Sequence, residues 1–267
     1  MREKQSTISK LLEKYFNLSK PAEMYSTEKA VEFLDKKSKK TQKNPNTLAE
    51  FGDDASKRTI LYLHGGAFYG DLNLQHTLYC RLLAKKLDAY VIAPRYPLIP
   101  NHTYKETFEM LENLYTDLIK TTDEITIMGD SAGGGIAISF CQYLNELDLA
   151  QPKHLITFSP WVDLSMSGEY SNKDTDPILG VEGLKVFGKS WAGKTNLKDY
   201  KVSPIYGDFS NLAPHLTFVG SHEIFYSDVC KIKNAKIIVG KNLNHVYPLF
   251  PIPEARDAFK IIKNEII

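Results

Sequence analysis

Residues able to do chemistry together fall in three short stretches. Ser131 stands in Gly129-Asp130-Ser131-Ala132-Gly133, with a glycine two positions to either side. That spacing suits a serine nucleophile held on a very tight strand-to-helix turn. Such a turn strains the backbone of the central residue, and side chains two positions away would strike the neighbouring strand and helix; glycine removes the collision. Taken alone, the motif also fits an ordinary glycine-rich turn, so the rest of the constellation must carry the reading. Acyl transfer by serine needs a base, an acid that orients it, and backbone N–H donors for the oxyanion. Gly65 and Gly66 let the backbone approach closely, and the N–H of Ala132 follows the nucleophile. Gly65, Gly66 and Ala132 are the candidate donors.

Seven histidines could supply the base. His64 precedes Ser131, and its expected task is holding the Gly65-Gly66 loop. His76, His102 and His154 lie on or near helices and strand starts, where surface or core roles are ordinary. His215 precedes a strand rather than following one. His222 follows Leu216-Thr217-Phe218-Val219-Gly220 and is a second candidate. His245 lies after the last expected strand, in Asn242-Leu243-Asn244-His245-Val246-Tyr247, and is the favoured base. The loop after Gly220 offers Glu223 and Asp228 as the acid. Glu223 is nearer the strand end and is preferred; Asp228 is expected in the following helix, bracing the loop. A buried carboxylate there would fix the imidazole tautomer and stabilise imidazolium.

These residues need a scaffold that brings strand ends together. Short apolar runs at 58–63, 89–93, 125–128, 154–158, 216–220 and 236–240 read as strands. Helical spacing over 78–87, 104–119, 134–147, 181–191 and 253–262 places amphipathic helices between or after them. Alternation of this kind implies an α/β fold with a mostly parallel central sheet covered on both faces. Ligands in such sheets bind at the carboxyl ends of the strands, where 64–66, 131 and the loops after 220 and 240 all fall. Residues 1–50 look like an appendage, with Ile8, Leu11, Leu12, Tyr15 and Phe16 at helical spacing, a second helix after Thr27, and the basic tract 36–43 as a solvated helix end and linker. No clear strand is expected in 164–204.

Composition limits the alternatives. A chain of 267 residues, 43% hydrophobic and 24% charged, suffices for one large α/β domain with a small cap. A net charge of +1 points to neither nucleic acid nor an anionic membrane surface. No apolar run approaches the roughly 20 residues of a membrane span. The N-terminus opens into charged amphipathic sequence, so no signal peptide is expected. Cys80, Cys141 and Cys230 lack metal-ligand spacing and read as reduced thiols in a cytoplasmic protein. No metal and no cofactor is expected.

Together these pieces resemble the hormone-sensitive-lipase-like branch of the α/β-hydrolases, the small bacterial esterases. The resemblance is carried by His64-Gly65-Gly66, Gly129-Asp130-Ser131-Ala132-Gly133-Gly134, Ser159-Pro160-Trp161-Val162-Asp163-Leu164, Asp176-Pro177, Ser203-Pro204, the loop Arg95-Tyr96-Pro97 to His102, and the His245 segment through Glu254-Ala255. It covers about residues 58–262. It implies the α/β-hydrolase fold, with Ser131 as nucleophile, His245 as base, and Gly65, Gly66 and Ala132 as oxyanion donors. Residues 1–50 would form an N-terminal helical cap segment, and 51–267 the catalytic domain with a cap insertion around 164–204. There are two departures. Ala67 replaces the family's usual third glycine, with a minor effect expected on loop shape. Glu223 aligns with the usual Asp and is one methylene longer.

The resulting expectation is a serine carboxylesterase acting on small-molecule esters of short acyl groups, with activity falling through an acid limb at about pH 6–7 as His245 protonates. An amide or small-peptide hydrolase on the same triad is the alternative, which matched ester and anilide substrates would separate. A non-catalytic small-molecule binder would be expected to have lost a triad member. Phe68, Tyr69, Trp161, Trp191 and Tyr247 are candidate pocket walls, although aromatics more often fill cores. Pairing through an edge strand as a homodimer is left open.

Overall fold

The computed structural model describes residues 5–40, 42 and 44–267; Met1–Lys4, with the start of the expected leaderless N-terminus, and Thr41 and Lys43 of the basic tract lie outside the described residues. Seven strands form one sheet: β1 (Leu48–Phe51), β2 (Arg58–Leu63), β3 (Ala89–Pro94), β4 (Ile125–Asp130), β5 (His154–Phe158), β6 (His215–Gly220) and β7 (Ala235–Gly240). Their order is β1-β3-β2-β4-β5-β6-β7, with β1 antiparallel to β3 and all other pairs parallel. The expected strands fall where alternation placed them. β1 is additional: the sheet begins at Leu48, so the expected boundary at residue 50 falls inside an edge strand.

Register explains why the chemistry-bearing loops meet. Leu63 pairs with Gly129, Asp130 with Phe158, and Gly220 with Gly240. The carboxyl ends of β2, β4, β5, β6 and β7 therefore lie along one edge, and the chain leaves each of them into a loop on that edge.

Side-chain alternation sorts the core into two layers, as period-2 geometry requires. Leu61, Leu63, Ile125, Ile127 and Leu155 point to one face. There they meet α5 (Tyr104–Leu118), α6 (Ser131–Glu146) and α7 (Val181–Ala192). Ile60, Tyr62, Met128, Ile156 and Phe158 point to the other. That layer is closed by α4 (Leu74–Leu87) and the C-terminal helix Pro253–Ile266.

The N-terminal segment supplies α1 (Thr7–Leu18), α2 (Ala22–Tyr25) and α3 (Thr27–Ser38). α2 and α3 pack on α7, with Tyr69 wedged between Phe33 and Phe187 at 4.8 Å from each ring. The Tyr25 hydroxyl donates to the carbonyl of Asp176 at 2.8 Å. α1 is held differently. Glu254, buried at the start of the C-terminal helix, accepts from the Ser6 N–H and hydroxyl and from the Ser9 hydroxyl, and Glu13 faces His222 at 3.1 Å. Among the described residues, no helix is long and apolar enough to cross a membrane.

Candidate active site

β4 is buried along its whole length and ends at Asp130, and α6 starts at once on Ser131. Ser131 takes φ +51°, the left-handed region, as the tight turn demands. A Cβ on Gly129 would come within 2.5 Å of the Gly133 carbonyl, and one on Gly133 within 2.1 Å of the Leu63 carbonyl. The two glycines thus permit the corner for the steric reason the spacing implied. The start of α6 directs its dipole and unpaired N–H groups toward the serine.

Two loops complete the arrangement. The Ser131 hydroxyl donates to His245 Nε2 at 2.8 Å, across 114 positions of sequence. The other ring nitrogen, Nδ1, donates to Glu223 Oε1 at 3.3 Å. All three side chains are buried. Glu223 Oε2 also accepts from the Gly220 N–H at 3.0 Å and the Ser159 hydroxyl at 2.7 Å. Ser159 in turn accepts the Val246 N–H at 2.9 Å, so one hydroxyl touches both the acid and the residue after the histidine. Burial works to lower the His245 pKa, but the Glu223 carboxylate, with Asp176 and Asp130 behind it, outweighs burial and raises it. Asp176 is itself fully buried and accepts N–H groups from Ile178, Leu179 and Ile224. Burial pushes its carboxyl up to about 6.

Asp228 lies apart from the imidazole. It accepts from the Tyr170 hydroxyl at 2.9 Å and pairs with Lys231, bracing the loop as a helix residue in α8 (Tyr226–Val229). His222 faces Glu13 of α1 instead of Ser131. His64 is buried, stacks on Tyr96 at 4.3 Å, and donates from Nδ1 to the Gly65 carbonyl at 2.8 Å. Burial and the neighbouring His76 ring hold it at about 4, so it is neutral.

The oxyanion loop requires a correction. The Gly65 N–H donates to Asp130 Oδ1 at 3.0 Å, so it is already committed and is not a free donor. Glycine is needed there because a Cβ would sit 2.2 Å from Asp130 Oδ2. Among the described residues, the N–H groups of Gly66, Ala67 and Ala132 meet no protein acceptor. Ala67 takes φ +48°, a conformation glycine would adopt freely. Asp130, hidden inside the motif itself, also accepts from the Tyr62 hydroxyl at 2.8 Å and from His76 Nε2 at 3.4 Å. Burial would raise its pKa, yet His76 and Tyr62 hold the carboxyl below its usual value. Neither Asp130 nor Ser159 received a role from the sequence, although both stand inside quoted motifs.

The aromatic residues separate. Phe68, Trp161 and Trp191 are buried in one stack, with ring centroids 4.3 Å (Trp191–Phe68) and 5.1 Å (Phe68–Trp161) apart. Phe225 continues it, 5.8 Å from Trp161, and sets its ring against His245 at 5.3 Å. Tyr69 packs instead on Phe33 of α3 and Phe187 of α7. Tyr247 is not part of the stack: Val246 takes φ +50°, and Tyr247 lies in the opposite core layer against Gly240. Among the described residues, no group of His, Cys, Asp and Glu is arranged to hold a metal.

Comparison with known proteins agrees with this architecture. A family profile described as alpha/beta hydrolase fold matches residues 60–244, from β2 to the residue before His245. An esterase of Acinetobacter venetianus is 34% identical over 182 residues, 65% of this chain and 59% of that protein. The chain thus spans less than two thirds of that relative's length. An acetyl-hydrolase of Streptomyces hygroscopicus is 27% identical over 219 residues, 76% of this chain and 73% of the relative. A crystal structure of a hormone-sensitive lipase from a metagenome library superposes with a TM-score of 0.78 at 25% identity, covering 96% of both chains. With its parallel sheet, its serine corner after β4 and a profile match over most of its length, the chain belongs to the α/β-hydrolase fold family, in the hormone-sensitive-lipase-like branch.

Proposed function

We propose that the protein is a serine carboxylesterase that hydrolyses short-chain acyl esters through an acyl-enzyme on Ser131. The observation that carries this reading is the unbroken hydrogen-bond chain from the Ser131 hydroxyl through His245 to Glu223 at the carboxyl edge of the sheet. Relatives named esterase and acetyl-hydrolase support the same class of reaction.

In this mechanism Ser131 Oγ attacks the ester carbonyl carbon while its proton passes to His245 Nε2. Glu223 holds the Nδ1 proton and stabilises the imidazolium. The negative oxygen of the tetrahedral intermediate is received by the N–H groups of Gly66, Ala67 and Ala132, which spend no donor capacity inside the protein. Collapse breaks the C–O bond to the alcohol, which leaves with the proton from Nε2. Water then gives a proton to the neutral imidazole, attacks the acyl carbon, and releases the acid and the serine. The buried stack of Phe68, Trp161 and Phe225 beside the serine and imidazole favours small acyl groups, because a long chain meets close-packed rings. Helices α2, α3 and α7, with the loops of 164–204, serve as the cap over this site.

A fluorophosphonate probe should label the folded protein and leave Ser131→Ala unlabelled; no labelling of the parent would overturn the reading. A series of nitrophenyl esters should show kcat/KM falling as the acyl chain lengthens.

A further inference from the structure

The outer surface of α1 and α4 is built unlike the rest of the molecule. α1 is strongly amphipathic, yet it is tied to the body by its polar face, through Ser6, Ser9 and Glu13. Only Leu12 and Phe16 turn inward, Phe16 against Phe250 at 5.3 Å. The remaining apolar residues at helical spacing, Ile8, Leu11, Tyr15 and Leu18, face solvent, with Leu11 and Tyr15 63% and 62% exposed. Across a groove of about 1100 Å³, α4 presents Leu74, Leu78 and Leu82; Leu74 is 72% and Leu78 56% exposed. The floor of that groove begins at Pro248, three residues after His245.

Cations surround this apolar surface. Arg81 and Lys85 stand two helical turns after Leu74 and Leu78 on the same face of α4. Lys86, Arg256 and Lys260 line the groove, and Lys10 and Lys14 lie along the exposed side of α1. Of these, Lys260 faces Asp257 at 3.7 Å; among the described residues, Arg81, Lys85, Lys86 and Arg256 pair with no carboxylate. Of the acids nearby, Glu254 lies under the start of α1 and Glu13 faces His222, while Glu50, Asp53 and Asp88 share the surface beside Arg81 and Lys85. The net charge of +1 hides the cluster because it sums the whole chain.

We infer that this face docks on an anionic lipid surface, inserting the exposed leucines of α1 and α4 while the surrounding lysines and arginines meet the headgroups. A second copy of the chain is disfavoured by symmetry: an isologous contact would bring the basic rim of one copy against the equally basic rim of the other. The inference goes beyond the proposed esterase reading, because the groove lies on the layer of α4 and the C-terminal helix, opposite that of the aromatic stack. Its test does not depend on hydrolysis.

Vesicle co-sedimentation with the full chain, using phosphatidylcholine alone and mixed with phosphatidylglycerol, measures the docking directly. The protein should pellet with the mixed vesicles and not with the neutral ones, and added salt should release it. Leu78→Asp should weaken binding at least about tenfold, and Arg81→Gln about fivefold. Both should keep their hydrolysis of a soluble nitrophenyl ester. Ser131→Ala should bind like the parent, so loss of the hydrolytic reading and loss of this one are distinguishable. Val31→Asp, an exposed apolar position on α3, should also bind like the parent. Absence of binding to the mixed vesicles, or binding unchanged by Leu78→Asp, would overturn the inference. A dimer by sedimentation that Leu78→Asp dissociates, without vesicle binding, would assign the face to a second copy instead.

Discussion

The two loops flanking Ser131 are held by opposite means. The loop after β2 is fixed through its backbone: glycine at 65 admits the Asp130 carboxylate, that carboxylate takes the Gly65 N–H, and Ala67 and Phe68 both turn through positive φ. The loop after β7 is fixed through side chains, with Ser159 and Glu223 gripping His245 and its neighbour. The difference follows the tasks that the proposed mechanism gives the two loops. Donors that receive an oxyanion are main-chain groups, so the chain path itself must be set. A proton carrier must keep one tautomer and a tuned basicity, which takes a buried partner with charge.

Substitutions on each side should therefore fail in different ways. The largest effect is expected from Glu223→Gln, which leaves shape but removes charge. kcat should drop by roughly 10³–10⁴-fold. The parent's acid limb should lie above the ordinary histidine range, because the Glu223 carboxylate raises the His245 pKa and the neutral imidazole is the base. That is higher than the unperturbed range expected from sequence. Losing the charge should move the limb to lower pH, so a pH–rate profile of the variant that does not shift would break the comparison. Asp130→Ala should lower the limb less than Glu223→Gln does, while it frees the Gly65 N–H and loosens the donor loop, costing about 10–100-fold in kcat. Ser159→Ala removes one hydroxyl between acid and base loops, and kcat should fall by about tenfold with KM little changed. Ala67→Gly relieves a left-handed alanine, at about 1 kcal/mol, but adds freedom to the unfolded chain. Its melting temperature should stay within a few degrees of the parent's, and a large drop would show that the Ala67 methyl is needed for packing.

Much of this was legible because the pattern that makes a parallel sheet also orders its loops. Strands β2–β7 announce themselves as apolar runs, and the constellation falls at the ends of β2, β4, β6 and β7 for topological reasons. β1 did not, because Leu48-Ala49-Glu50-Phe51 is a short edge strand with a half-exposed pattern and a charge inside it. The commitment of the Gly65 N–H was hidden for another reason: its acceptor arrives from β4, and only the pairing of Leu63 with Gly129 brings the two together. Tyr247 follows His245 by two positions, yet one left-handed residue between them sends it to the opposite layer. Pairings across strands and single reversals of φ leave no trace in composition or periodicity.

The aromatic column has an optical consequence. The chain has two tryptophans, and both stand in that column, with the backbone N–H of Trp161 donating to the Ser131 carbonyl at 2.9 Å. Ultraviolet emission from the native protein thus originates within a few side chains of the serine. Occupancy of that hydroxyl can be followed by intrinsic fluorescence, with no dye attached.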